Sequence, residues 1–188
     1  MWKSHLTKVL DPAGKTWLDP VLRPLEKFTY HLMGVDPAKE HGWKAYTFAM
    51  LLFSAFGVFF TYAILRLQHL LPLNPQGLPA LSPALAFNTA VSFSTNTNWQ
   101  SYSGESTMSY FSQMVALTIH NFTSAAVGIS IAAALVRGIA RHSASTVGNF
   151  WVDMIRSTYY LLLPICFVFA VFFRTQCSTS KEPMSRAS

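Results

Sequence analysis

A chain of 188 residues with 51% hydrophobic and only 12% charged residues carries about half the charge of an ordinary soluble domain. Its formal net charge of +6 comes from basic residues that lie among acids or flank apolar runs, and without a Lys/Arg block this pattern argues against nucleic-acid binding. The composition instead predicts a membrane protein with a few embedded segments.

The N-terminal segment, residues 1–44, mixes basic and acidic residues and contains no long apolar run. Within it, Leu25, Phe28 and Leu32 recur at helical spacing, and Gly34 follows them as a stop signal. We therefore predict a short amphipathic helix that lies on the cytoplasmic surface of a membrane.

The first membrane-spanning helix is predicted from Ala45 to Leu65. This run carries no charge and is long enough as a helix to cross a hydrocarbon core of about 30 Å. Lys44 and Arg66 bracket it at the two membrane interfaces. The prolines that follow Arg66 exclude a single continuous helix through the next segment.

A short apolar helix is predicted next. Ser82 and Pro83 suit the N-cap and the first helical position, and a helix from there to Phe93 is roughly 17 Å long, about half a bilayer. It is too short to span a membrane and too apolar for water. We predict a re-entrant helix that enters the membrane and turns back.

The stretch after this helix, TNTNWQSYSGE, is polar but uncharged until Glu105. Neutral oxygens suit a partly dehydrated potassium ion, which filters hold with rings of backbone carbonyls, and the C-terminal end of a helix adds a partial negative charge. We predict a cation path here, with Trp99 packed behind it. Two alternatives remain open: an extracellular loop of turn-forming residues, and the unwound segment of a substrate carrier.

A second membrane helix is predicted within residues 106–136, which carry no formal charge. His120 and Asn121 in its first half are expected to hydrogen-bond to neighbouring helices. Small residues at four-residue intervals from Ser124 to Ala132 indicate close helix packing.

The remaining chain is predicted as a cytoplasmic amphipathic connector (137–156), a further membrane helix (157–173) and a disordered tail (174–188). Basic residues concentrate in the N-terminal segment and the connector and are absent from 67–136. By the positive-inside rule, both basic segments are cytoplasmic and the polar loop enters from outside.

The predicted fold class is therefore an all-α membrane protein. Residues 45–136 form one repeat of membrane helix, re-entrant pore helix, filter loop and membrane helix, and one further membrane helix follows. An intramembrane hydrolase is a poor fit, because no nucleophile, base and orienting group occur together and Asp153 and Glu105 are predicted on opposite sides of the membrane.

Four elements of the sequence, LNPQ, NTAVSF, TNTNWQSYSGE and YFSQM, resemble the potassium-binding A subunit of Kdp-type potassium-transporting ATPases. The resemblance implies a multi-pass subunit of the bacterial inner membrane that binds and translocates K⁺. It implies no cofactor and no catalysis by this chain, because ATP hydrolysis would belong to a partner P-type ATPase subunit. Small accessory subunits and membrane lipid would complete the complex.

The resemblance also implies the roles of individual residues. Dehydrated K⁺ would be coordinated by backbone carbonyls of one filter strand, formed by Thr95, Asn96, Thr97 and Asn98. The strand would be supported by Ser94, Gln100 and Ser101.

One departure from that family concerns the number of repeats. The family surrounds one filter with four repeats, whereas the motif NTAVSF…TNTN occurs once here. We therefore expect an N-terminal fragment of such a subunit, from a truncated or frameshifted gene. The alternative is a non-functional membrane remnant or a structural helix-packing fragment without transport activity.

Overall fold

The computed structural model describes residues 2–11, 14–140 and 145–179. The α-helices are α1 (Trp2–Leu10), α2 (Asp19–Met33), α3 (Trp43–Leu67), α4 (Pro83–Ser94), α5 (Gly104–Thr107), α6 (Ile119–Ala140), α7 (Phe150–Arg156) and α8 (Leu163–Thr179). A 3₁₀ turn (Gln68–Leu70) follows α3, and π-helical segments lead into α6 (Ser112–Thr118) and α8 (Ser157–Leu162). The described residues contain no β-strand, only an isolated bridge between His41 and Gly148.

Within the described residues, three helical stretches are long and apolar enough to cross a membrane, namely Trp43–Leu70, Ser112–Ala140 and Phe150–Thr175. This confirms the predicted all-α membrane fold. The first begins two residues before the predicted Ala45, and α4 is too short to join this group, as expected for a half-length helix.

The last spanning helix differs from its predicted limits. It begins at Phe150, inside the predicted connector, and the charged side chains of Asp153 and Arg156, which a surface segment would expose, are buried against partners. Residues 174–179, predicted as the start of the tail, continue α8. The rest of that tail, residues 180–188, lies outside the described residues.

The chain forms two compact units, Met1–Val35 with Ile155–Ser188, and Asp36–Met154. In the first unit, a buried carboxylate at Glu26 accepts hydrogen bonds from Tyr30 (2.8 Å), Tyr160 (2.8 Å) and Arg156 Nε (3.0 Å). Burial and the Glu26 carboxylate raise the pKa of Tyr30. The predicted apolar stripe of α2 points outward, with Phe28 63% exposed, as an interfacial helix requires.

In the second unit, α4 packs against α3 and α6. Its core consists of apolar side chains from the end of α3, from α4 and the segment before it, and from the next span and the residue after α5: Leu65, Leu81, Ala86, Phe93, Met108 and Leu117.

A buried ion pair lies in the same unit. Arg137 donates two hydrogen bonds to Asp153, at 2.6 and 2.8 Å, and the hydroxyl of Tyr46 donates to the same carboxylate at 3.0 Å. Gly148 lies beside the pair with φ +108°, and a Cβ there would collide with the Arg137 guanidinium.

Candidate cation site

Helix α4 carries the candidate site at its C-terminal end. The side chain of Ser82 accepts a hydrogen bond from the backbone N–H of Leu85 at 3.3 Å, and Pro83 is the first helical residue, so the predicted helix start is confirmed. The helix ends at Ser94, one residue after the predicted Phe93. The local cap and the following polar residues therefore determine both ends of this element.

The backbone from residue 95 to 98 folds back on the last turn of α4. The four N–H groups donate to carbonyl oxygens of that turn: Thr95 to Val91 (3.0 Å), Asn96 to Phe93 (3.2 Å), and Thr97 and Asn98 to Ser92 (2.9 and 3.2 Å). Asn96 and Asn98 are in the left-handed region, with φ of 59° and 57°, which asparagine tolerates better than most residues.

The carbonyl oxygens of the same four residues differ from the N–H groups in their hydrogen bonding. Among the described residues, none of these four oxygens accepts a hydrogen bond. Backbone carbonyls almost always have a partner when they are buried away from water, and here residues 95–98 are exposed. The strand therefore has four carbonyl oxygens that accept no hydrogen bond within the described residues, on a backbone that is held by its donors.

Side chains of the predicted site hold the strand to different extents. The Ser94 hydroxyl donates to the Ser54 carbonyl of α3 at 3.2 Å, and the Thr95 hydroxyl lies 3.0 Å from that of Thr97. Gln100 and Ser101 are exposed, and neither makes a hydrogen bond within the described part of the chain. Their supporting role stays a prediction.

The expectation that Trp99 packs behind the strand is wrong, because its side chain is 78% exposed. Its backbone carbonyl contributes instead, as the acceptor for the Ser92 hydroxyl at 3.0 Å. Ser92 therefore organises the strand through both its hydroxyl and its carbonyl, a role that the sequence analysis missed. Its position two residues before the end of a buried helix was the only signal.

Gln68 is a second residue that the sequence analysis missed. Its fully buried side chain donates to the carbonyls of Pro79 (2.6 Å) and Thr107 (2.9 Å). Its Oε1 accepts from the Ser109 N–H (3.2 Å) and the Ser112 hydroxyl (3.0 Å). One amide thus joins the end of α3 to the segments before α4 and after the polar loop.

Helix α6 contacts both helix α3 and the strand. His120 is buried, and its Nε2 lies 3.4 Å from the Thr61 hydroxyl of α3, which confirms the predicted interhelical hydrogen bond for that residue. Asn121 is exposed, and its side chain makes no hydrogen bond within the described residues. One turn later, the Ser124 hydroxyl donates to Asn96 Oδ1 at 3.2 Å.

The expected stripe of small residues on α6 is buried only in part. Ser124 is buried, but Gly128 and Ala132 are exposed. The buried small residues of this helix are Ser124, Ala126, Ser130 and Ala133.

The polar loop carries a single negative charge. Hydrogen bonds from its own backbone N–H and from the Ser103 hydroxyl lower the pKa of Glu105, so its exposed carboxylate stays ionised. Burial raises the pKa of Tyr102 to about 12, so its phenol stays neutral. No group of three or more His, Cys, Asp and Glu that could hold a metal occurs among the described residues.

Comparison with known proteins gives a consistent match. Residues 3–182 match the model of a family described as the potassium-transporting ATPase A subunit, KdpA. Proteins named potassium-transporting ATPase potassium-binding subunit are 57% identical over 172 residues in Bordetella pertussis and 59% identical over 157 residues in Caulobacter vibrioides. A third, from Methylacidiphilum infernorum, is 54% identical over 173 residues.

These alignments cover most of this chain but a minor part of each relative. They include 92%, 84% and 92% of the chain, and 29%, 28% and 30% of the relatives' own lengths, in the order given above. The chain therefore spans less than a third of the curated relatives that it matches.

Proposed function

Because the chain belongs to the family of the potassium-transporting ATPase A subunit, we propose that it binds and helps to translocate K⁺ as part of an ATP-driven uptake complex. Residues 95–98 supply one strand of the potassium site. One observation carries this proposal: the strand's N–H groups are bound to α4, whereas its carbonyl oxygens accept no hydrogen bond within the described residues.

Such a strand suits K⁺ for electrostatic reasons. Potassium sheds its water in exchange for several neutral oxygens that are held in place, and a backbone fixed through its donors keeps its carbonyl dipoles from turning away. The C-terminal end of α4 adds a partial negative charge beside the strand. One strand provides only one side of a coordination shell, so the remaining ligands must come from other segments.

The names of the relatives support a proposal for the partners and the location of this chain. Their names describe a potassium-binding subunit of an ATPase, and we infer a potassium-binding, non-catalytic role for this chain. ATP would be hydrolysed by a P-type ATPase partner, with small accessory subunits and membrane lipid around them. The complex would lie in the bacterial inner membrane, which the chain would cross several times.

A pair of substitutions at Asn98 tests the strand. In a chimera, residues 3–182 of this chain replace the matching segment of the Bordetella pertussis subunit and are produced with its partner subunits in cells without other potassium uptake. Asn98→Gly keeps φ +57° accessible, and we expect an unchanged apparent affinity for K⁺. Asn98→Val disfavours that backbone by about 1–2 kcal/mol, so the affinity should fall about five- to thirtyfold.

The measurement is the uptake rate as a function of external K⁺. Equal affinities in the Gly and Val variants would show that the backbone of Asn98 holds no ligand and would favour a solvated loop. A chimera that reaches the membrane but transports nothing, next to an active Bordetella subunit, would favour the structural-fragment alternative.

A positive charge near the strand is a separate test. Gln100→Arg places a cation two residues beyond Asn98, and at ~10 Å it would repel K⁺ by about 0.4 kcal/mol in water or about 1.7 kcal/mol at an effective dielectric constant of ~20. We expect the apparent affinity for K⁺ to fall about two- to eighteenfold. Gln100→Leu is the matched neutral control. If both variants bind K⁺ equally well, residue 100 lies in an open loop away from the ion.

A further inference from the structure

One face of helix α3 contacts both α4 and α6. Ser54, Gly57 and Thr61 follow each other at intervals of three and four residues, which places them on one side of the helix. The Ser54 carbonyl accepts the hydroxyl of Ser94 at the end of α4 (3.2 Å), and Thr61 meets His120 of α6 (3.4 Å).

Gly57 lies between these two contacts and allows the three helices to come close. A Cβ at this position would lie 2.8 Å from His120 Nε2 and 3.5 Å from the Ser94 hydroxyl. The imidazole therefore occupies the space of a missing side chain, and His120 is only 5% exposed. Its Nδ1 has no hydrogen-bond partner within the described residues, so Nε2 and ring packing fix its place.

The same turn of α6 touches the strand. The Ser124 hydroxyl has the His120 carbonyl and Asn96 Oδ1 as the two acceptors within reach of its one proton, and Asn96 is one of the two strand residues with left-handed backbone. The position of α6 at His120 thus determines where Ser124 meets the strand. The described contacts around His120 are made by uncharged residues, namely Gly57, Thr61, Ser94 and Ser124.

We infer that His120 is a positioning residue for the cation site. Its ring fills the space beside Gly57 and thereby fixes the position of Ser124 relative to Asn96. This position in turn determines the cation selectivity of the strand. This inference rests on the proposed function of residues 95–98. His120 itself would not contact the ion, since its ring faces α3.

The test compares K⁺ with Rb⁺ in the transporting chimera described above. His120→Leu keeps the bulk of the ring but removes its hydrogen bond, and we expect the ratio of the apparent affinities for Rb⁺ and K⁺ to change about three- to tenfold. The maximal rate should change less than about twofold, because the strand is displaced rather than lost. His120→Gln should restore most of the original ratio.

Two further variants locate the effect. Ser124→Ala should shift the ratio in the same direction, and the double variant should shift it no further than the larger single change, since both act through Asn96. Asn121→Leu, the next residue on α6, is the matched control and should leave the ratio unchanged. Folding of each variant is checked by circular dichroism on the full 188-residue chain in detergent.

The outcomes separate this inference from the proposal on which it rests. If Asn98→Val weakens K⁺ uptake but His120→Leu and Ser124→Ala leave the Rb⁺/K⁺ ratio unchanged, the positioning role is wrong and the strand stands. If Asn98→Val has no effect either, the strand itself is refuted. Should His120→Leu fail to fold, Ser124→Ala alone decides, with an unchanged ratio overturning the inference.

Discussion

Replacing Arg137 with alanine is expected to lower the free energy of unfolding by about 3–5 kcal/mol, the range found when one partner of a buried ion pair is removed. Asp153 is 3% exposed as a side chain and receives two hydrogen bonds from Arg137. Without the guanidinium, its carboxylate would keep only weaker donors such as Tyr46 (3.0 Å). The charge would then have to be neutralised or exposed, and either change disturbs the contact between α6 and α7.

The measurement is denaturant or thermal unfolding of the purified chain in detergent. Arg23→Ala is a suitable control, because Arg23 pairs with Asp19 at 3.9 Å and its side chain is 56% exposed. Surface pairs of this kind contribute about 0–1 kcal/mol. Equal stability of the Arg137 and Arg23 variants would show that burial adds nothing to the Arg137–Asp153 pair.

Gln68→Leu is expected to destabilise the chain by about 3 kcal/mol, because it leaves several buried polar groups without their partner. The variant fills the same space but cannot bond the carbonyls of Pro79 and Thr107 or the donors of Ser109 and Ser112. Because these groups flank α4 and the polar loop on both sides, the affinity for K⁺ should fall together with the stability.

Gln76→Leu makes the same chemical change at an exposed position of the proline-rich segment, so it should alter the stability by less than about 0.5 kcal/mol. Unfolding and uptake measured on both variants distinguish a local effect from a general effect of added apolar surface. A Gln68→Leu chain as stable as Gln76→Leu would mean that water replaces the lost amide.

The elements that could be predicted are those with local signals. The uncharged run after Lys44 located α3 to within two residues at its start, and the Ser82–Pro83 pair located the start of α4. Hydrophobic length and a helix cap are properties of neighbouring residues, so a single sequence contains them.

Contacts between distant residues could not be predicted in this way. Asp153 and Arg156 suggested a surface connector, because nothing in the sequence shows that Arg137 and Glu26 meet them in the fold. Trp99 was predicted to pack behind the strand, although residues 95–101 are exposed. The candidate strand stays a prediction from its uncharged polar residues, whereas the contacts of Ser92 and Gln68 depend on the path of the backbone.

The Glu26–Arg156 contact has a consequence for the order of events during synthesis. The two residues are 130 positions apart, so at about 5–20 residues per second the ribosome adds Arg156 roughly 7–26 s after Glu26. During that interval the carboxylate of Glu26 has no Arg156 beside it, and an unpaired carboxylate is more stable in contact with water. Helix α2 would therefore stay at the membrane–water interface while α3 and α6 are inserted. It would form its buried contact with Arg156 only after the last spanning helix has been synthesised.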